Sequence, residues 1–320
     1  MIVGYRREGT DTRSLGHVFV PTHLSRACLR AIEEAVENGR DADNCLMLPV
    51  LGPNGCGKTS LVGAYDDLCA RGAPGFRERR LLFVQVTRGG SAMEIATAAL
   101  IALGEPVPTV GTLIEKTNRV IKALLREGFD AVFFDEIHRV LIARGVKAGA
   151  DGARWITDLL NATVCPIIAL GELSFVSLLR QNVYLQRRTV GINYVLPCDW
   201  ADDDERGAFC LMVSGMLDKL RVSAASPLRT HLEMRRLHLY SGGRIGLAAR
   251  LLTRGRIVAE RERGGELSCG HLVEASQELA LPGAASDFNP FLVAPRDPRL
   301  ADDAPDAVAE LKRNIGEGVF

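Results

Sequence analysis

Five short apolar runs punctuate the N-terminal two thirds of the chain: Cys45 to Leu51, Leu81 to Val86, Ala131 to Phe134, Val164 to Leu170 and Ile192 to Leu196. Stretches that read as helix or loop separate them. Continuous apolar runs alternating with helices predict strands covered on both faces, so the expected class is α/β with a five-stranded parallel sheet flanked by helices. The lead-in segment LSRACLRAIEEAVENG, after Pro21 and Thr22, carries apolar residues at helical spacing. Ser91 with Glu94 makes an S-x-x-E capping box that starts the helix after the second strand. In the next helix Leu113, Ile114, Thr117, Val120, Ile121, Leu124 and Leu125 recur at three- and four-residue steps, with Arg119, Lys122 and Arg126 on the opposite face.

Beyond Asp199 the pattern turns to helices alone: Asp202 to Leu220, Pro227 to Tyr240, Arg244 to Glu262 and Cys269 to Leu281. These predict a small helical second domain. From Pro282 the chain is rich in Pro, Ala and Asp, a composition that buries little and predicts a mostly flexible tail. The expected division is an N-terminal extension at 1–21, an α/β domain at 22–200, a helical lid at 201–281 and the tail at 282–320.

Composition narrows the function classes. With 320 residues and 47% hydrophobic, the chain can build a proper core. Its 39 basic and 39 acidic residues balance, so any nucleic-acid binding needs a local patch. The eight cysteines form no CxxC pair and no zinc spacing, and read as buried apolar residues in a reducing cytosol. No run has the length of a signal-peptide core or a membrane span, which predicts a cytoplasmic protein without a membrane partner.

The chemistry begins at Gly52, Pro53, Asn54, Gly55, Cys56, Gly57, Lys58 and Thr59, followed by Ser60, which fit GxxxxGK[ST] between an apolar strand and a helical segment. Glycines in this setting let backbone N–H groups curl around phosphates, the lysine reaches the β- and γ-phosphates, and the Thr59 hydroxyl suits Mg2+. ATP with Mg2+ is the expected ligand. At the end of AVFFDEIHRV, Asp135 offers the second magnesium contact, and Glu136 can polarise a water for attack on the γ-phosphate, which favours hydrolysis over transfer to a metabolite. His138 has no partner visible in sequence and reads as structural or surface.

Taken together, GPNGCGKTS, FFDEIHRVL, CPIIALGEL, LQRR followed by LPCDW, and the GGRIG turn resemble the TniB and TnsC family of AAA+ transposition regulators, related to phage MuB. The resemblance spans about Leu24 to Ala280. It implies an AAA+ fold with a helical lid, ATP-dependent assembly on double-stranded DNA as a helical oligomer, target-site choice, and recruitment of a DDE transposase, with a target-selector protein as a further partner. In AAA+ proteins a polar residue at the end of the fourth strand senses the γ-phosphate. Glu172 stands there where Thr, Ser or Asn is usual. Arg187 or Arg188 takes the place of an arginine finger acting on a neighbour's ATP, and Arg244 that of a lid arginine reaching the nucleotide. The resemblance also implies DNA contacts at Thr87 and Arg88 after the second strand and at Lys116 and Arg119 on the following helix, all to phosphates. The alternatives are a helicase-loader-like replication ATPase and a non-hydrolysing ATP-binding scaffold that assembles without DNA.

Overall fold

A computed structural model describes residues 2–4, 15, 18–39, 45–86, 90–141, 146–163, 165–261, 265–279, 288–304 and 307–316. Its strands are β1 (Ile2–Val3), β2 (Met47–Leu51), β3 (Leu81–Gln85), β4 (Ala131–Asp135), β5 (Ile167–Gly171) and β6 (Asn193–Tyr194). They form one sheet of order β1-β3-β4-β5-β2-β6, and each pairing is parallel. The five expected strands are present. The sixth is β1, a two-residue edge strand from the segment expected to be a polar extension, and two residues carry no period from which to read it.

Strands β2, β4 and β5 are buried at all five positions, as a sheet covered on both faces requires. Side chains alternate between two apolar layers. Phe133, Ile168 and Leu170 pack with helices α1 (His23–Asn38) and α2 (Lys58–Ala70), whereas Phe134, Ile167 and Ala169 face the layer of α3 (Ala92–Ala102), α4 (Leu113–Glu127) and α5 (Val146–Ala162). Register aligns the carboxyl ends: Leu51 pairs with Gly171, and Gln85 with Asp135. The chain leaves β2 towards β3 on one side and later crosses to β6 on the other. That reversal opens a crevice at the strands' carboxyl ends, where ligands bind open α/β sheets.

The helix signals act as expected at α3, where Ser91 and Glu94 form a complete capping box. A second box, Thr112 with Glu115, starts α4, and Gly128 ends it at φ 65°. The buried face of α4 is turned from the expected stripe, however. Ile114 and Leu125 are exposed, while Lys116, Val120, Ala123 and Leu124 are buried.

After the short helices α6 (Phe175–Gln181) and α7 (Val183–Arg187) come α8 (Asp203–Lys219), α9 (His231–Ser241), α10 (Ile245–Ala259) and α11 (Cys269–Glu278), close to the predicted spans. Phe209, Leu237, Leu251, Leu252 and Leu272 share their own core. The tail departs from the expected flexible segment. Phe291 is buried in that same core, and Asp302 accepts from Trp200 Nε1 at 2.8 Å. Arg235, fully buried against the Trp200 ring, donates to the Ala301 and Ala304 carbonyls. The last helix, α12 (Ala307–Gly316), is tied back by Lys312, which meets Asp199 and the buried Glu205 at 3.1 Å. A few anchors docked on a preformed helical face order this segment despite its composition.

Candidate functional site

The phosphate-binding loop leaves β2 at Gly52, whose N–H donates to the Gly171 carbonyl at the tip of β5. No other residue fits there, because a Cβ would lie 1.9 Å from the Val195 carbonyl oxygen. Gly55 and Gly57 take φ of 82° and 93°, conformations that side chains disfavour, and Gly57 caps α2. Lys58 is buried and donates from Nζ to the Gly52 and Pro53 carbonyls at 2.7 and 3.0 Å. Burial lowers its pKa against the pull of Cys56, Asp135, Glu136 and Glu172.

Thr59 Oγ1 donates to Asp135 Oδ2 at 2.8 Å, and the Glu136 N–H donates to Asp135 Oδ1 at 2.9 Å. Burial nonetheless raises the Asp135 pKa, helped by the neighbouring Glu136 charge and opposed by those two bonds and Lys58. A hydroxyl and a buried carboxylate side by side are the oxygen donors that a hard divalent cation takes, and its charge would restore the ionised carboxylate. The residues therefore fit magnesium at Thr59 and Asp135.

Glu136 follows at φ 60°, a strained value for a residue with a Cβ. Glu136 is among the residues that line the cleft, with Asn54, Lys58, Thr59 and Gly246. Arg139 holds Glu136 Oε2 from Nε at 3.2 Å. His138, expected to be structural or on the surface, is buried inside the site. Its Nδ1 accepts the Glu172 N–H at 3.3 Å, and Nε2 lies 3.8 Å from both the Glu136 and Glu172 carboxylates. Glu172 in turn accepts from the Asn54 side chain at 2.5 Å, so the tip of β5 grips the phosphate-binding loop.

A second cavity continues from Cys56, Gly57 and Ser60 to Val18, Phe19 and Val20, closed by Val195, Met212 and Ile245. Its walls are mostly apolar, with Thr22, Ser25 and Glu205 among the polar residues that line it. Sequence reasoning gave the extension no role. The apolar triplet Val18 to Val20, standing in a polar stretch directly before α1, was the available signal.

The GGRIG turn seats on the loop from the other side. The Gly246 N–H donates to the Gly55 carbonyl at 2.8 Å. Arg244 caps α10 next to Gly55, and its Nε donates to the Ser241 carbonyl at 3.1 Å. Burial pushes the Cys56 thiol up to about 12, against Lys58 and Arg244.

Two groups of predicted residues stand apart from this cleft, the arginine pair and the residues on α4. Arg188 donates to Asn161 Oδ1 at 2.6 Å, and its carbonyl accepts the Met47 N–H, which fixes it to the sheet. Arg187, at the end of α7, is exposed, and its side chain makes no ion pair or hydrogen bond among the described residues. On α4 the residues expected to contact DNA are engaged within the fold. Lys116 is buried with Nζ donating to Thr97 Oγ1 at 2.8 Å, and Arg119 binds Glu105 and the Val107 and Val110 carbonyls. The long lysine stem packs against α3 and the arginine staples the loop before its own helix, so neither side chain is offered to a phosphate. Thr87 and Arg88 lie outside the described residues. All eight cysteines are free thiols. Among the described residues no helix is long and apolar enough to cross a membrane.

A phosphate-binding loop after β2, the Asp135–Glu136 pair ending β4, and a helical region seated on that loop define a P-loop NTPase of the AAA+ type. Solved structures share the fold. The ORC2 protein of Aeropyrum pernix with ADPNP and ADP aligns with TM-score 0.61 at 14% identity, covering 86% of this chain and 73% of that one. The ORC1 protein of the same organism in complex with DNA aligns at 0.59 and 19% identity, covering 81% and 66%. Cdc6p of Pyrobaculum aerophilum aligns at 0.58 and 14%, covering 85% and 72%. The model of the family described as "Bacterial TniB protein" matches residues 17–193, more than half of the chain. The chain belongs to the TniB family. A comparison with curated protein sequences gives no match.

Proposed function

We propose that this TniB-family protein is an ATP-dependent regulator of DNA transposition. It oligomerises on double-stranded DNA, marks the target site and recruits a DDE transposase, with a target-selector protein as a further partner. The observation that carries the reading is the Thr59–Asp135 contact of 2.8 Å with Glu136 beside it in the cleft, within a chain of this family. In this reading ATP is the switch. Lys58 and the loop N–H groups hold its phosphates, Thr59 and Asp135 hold magnesium, and Glu136 orients the attacking water. Bound magnesium would offset negative charge on the β- and γ-phosphates. Hydrolysis then drives disassembly.

Arg187 is the better finger of the pair, because it is exposed and unengaged while Arg188 is bound to Asn161. Glu172 acts on the phosphate-binding loop through Asn54 rather than as a direct sensor, since its carboxylate is already engaged there. Arg244 reaches the nucleotide only by leaving Ser241. Thr87 and Arg88 carry the phosphate contacts to DNA. The working division is an α/β domain at 22–200 and a lid at 201–281, in a cytoplasmic protein.

The test is sedimentation or electron microscopy with duplex DNA in ATP, in ADP and without nucleotide. ATP-dependent DNA-bound oligomers support the reading, and their absence refutes it. The likeness to ORC and Cdc6 structures favours a second reading, a replication ATPase that loads a helicase. Co-purification with a helicase rather than a transposase would select it.

A further inference from the structure

The carboxylate of Glu136, the proposed water-orienting group, is already engaged. Arg139 reaches Oε2 with both Nε and Nη2, each at 3.2 Å, and among the described residues no other group hydrogen-bonds this carboxylate. His138 Nε2 stands 3.8 Å from it, too far for a hydrogen bond. The clamp is built into one turn. The Arg139 N–H donates to the Glu136 carbonyl at 3.0 Å, and Glu136 sits at φ 60° with its own N–H on Asp135. Ile137 is fully buried beneath, where a Cβ on Gly171 would come within 3.0 Å of its side chain, so the turn has little room to shift. A carboxylate held by the guanidinium of its own turn is aimed at that turn.

We infer that Arg139 is a positioning residue that restrains Glu136, so that the chemical step requires this ion pair to open. This rests on the ATPase reading above. The two partners are 39% and 23% exposed, which places the pair among the weak, partly solvated ones. Opening it is therefore easy, and the expected effect is modest: removing the clamp should speed the chemical step about two- to fivefold.

The experiment is single-turnover ATP hydrolysis by the full chain, enzyme in excess, with and without duplex DNA, for wild type, Arg139→Ala and Arg139→Lys. Thermal melts run alongside. Arg139→Ala should raise the rate about two- to fivefold while the ATP Kd stays within about twofold of wild type. Arg139→Lys, which keeps the charge but loses the fork, should fall between the two. In Glu136→Gln, adding Arg139→Ala should give no acceleration. A folded Arg139→Ala that turns over at the wild-type rate or slower overturns the inference and leaves the ATPase reading standing. A misfolded Arg139→Ala shifts the decision to Arg139→Lys, whose unchanged or slower rate overturns it equally. No turnover in any of these proteins, with ATP bound, removes both readings.

Discussion

Replacing Gly246 by alanine should weaken nucleotide binding without touching any residue that contacts phosphate. A Cβ on Gly246 would stand 3.0 Å from both the Cα and the carbonyl oxygen of Gly55. Both neighbours are backbone atoms, in a loop whose Gly55 sits at φ 82°, so the strain has no flexible side chain into which it can relax. Either α10 backs away and stretches the 2.8 Å bond from the Gly246 N–H to the Gly55 oxygen, or the phosphate-binding loop moves. Overpacking of this kind costs roughly 1–3 kcal/mol. If that strain falls on the loop's binding conformation, ATP affinity drops about 5- to 150-fold. If it falls on the fold, the melting temperature drops by several degrees. Titration with a fluorescent ATP analogue, read beside a thermal melt, measures both. Gly207→Ala is the control. It lies within α8 with no atom within 4 Å of its would-be Cβ, so it should stabilise by about 0.5–1 kcal/mol and leave the Kd unchanged. A Gly246→Ala protein with wild-type Kd and melting temperature would mean that the GGRIG turn does not rest on the loop.

Arg187→Ala should abolish ATP hydrolysis in the oligomer by a factor of about 10³ or more while ATP binding persists, and Arg188→Ala should instead lower stability through the lost Asn161 contact. Mixing Arg187→Ala with Glu136→Gln protein tests this, because a finger acting across subunits restores turnover in mixed oligomers and one acting within a subunit does not. Asp135→Asn should raise the melting temperature in the absence of nucleotide and abolish magnesium-dependent ATP binding. Asn can keep both bonds, accepting the Glu136 N–H and donating to Thr59, while removing a buried charge. Because burial raises the folded Asp135 pKa above its unfolded value, magnesium-free wild type should lose stability as pH rises from the unfolded carboxylate range through the raised folded one. The Asn variant should lack that component, and equal pH slopes would refute the assignment. Lys312→Ala leaves Glu205, 1% exposed, with the Asp199 N–H at 2.7 Å and the His23 ring at 3.7 Å beside it, and should cost about 1–3 kcal/mol in urea denaturation. Unchanged stability would show that α12 is not held there.

The site was legible wherever its residues follow one another along the chain. Gly52 to Thr59 lie on a single strand–turn–helix, and Asp135 with Glu136 ends a strand of buried residues, so local order alone puts phosphate donors, a hydroxyl and two carboxylates at one edge. The apolar runs determined the central strands for the same reason, since a strand buried on both faces needs no knowledge of its neighbours to be recognised. Contacts between distant segments were decided by the tertiary structure. Periodicity marks a stripe on α4 but not which helix will cover it. The structure buried Lys116 under α3, engaged with Thr97, and left Ile114 outside. His138 became part of the site because β5 brings Glu172 against it, and Val18 to Val20 became a wall because the lid closes over them. The tail looked too poor in apolar residues to order, yet Trp200 and Arg235 of the helical region supply the partners it lacks. Motif chemistry is encoded in spacing along the chain, whereas burial, pairing and the seating of one segment on another depend on which surfaces meet.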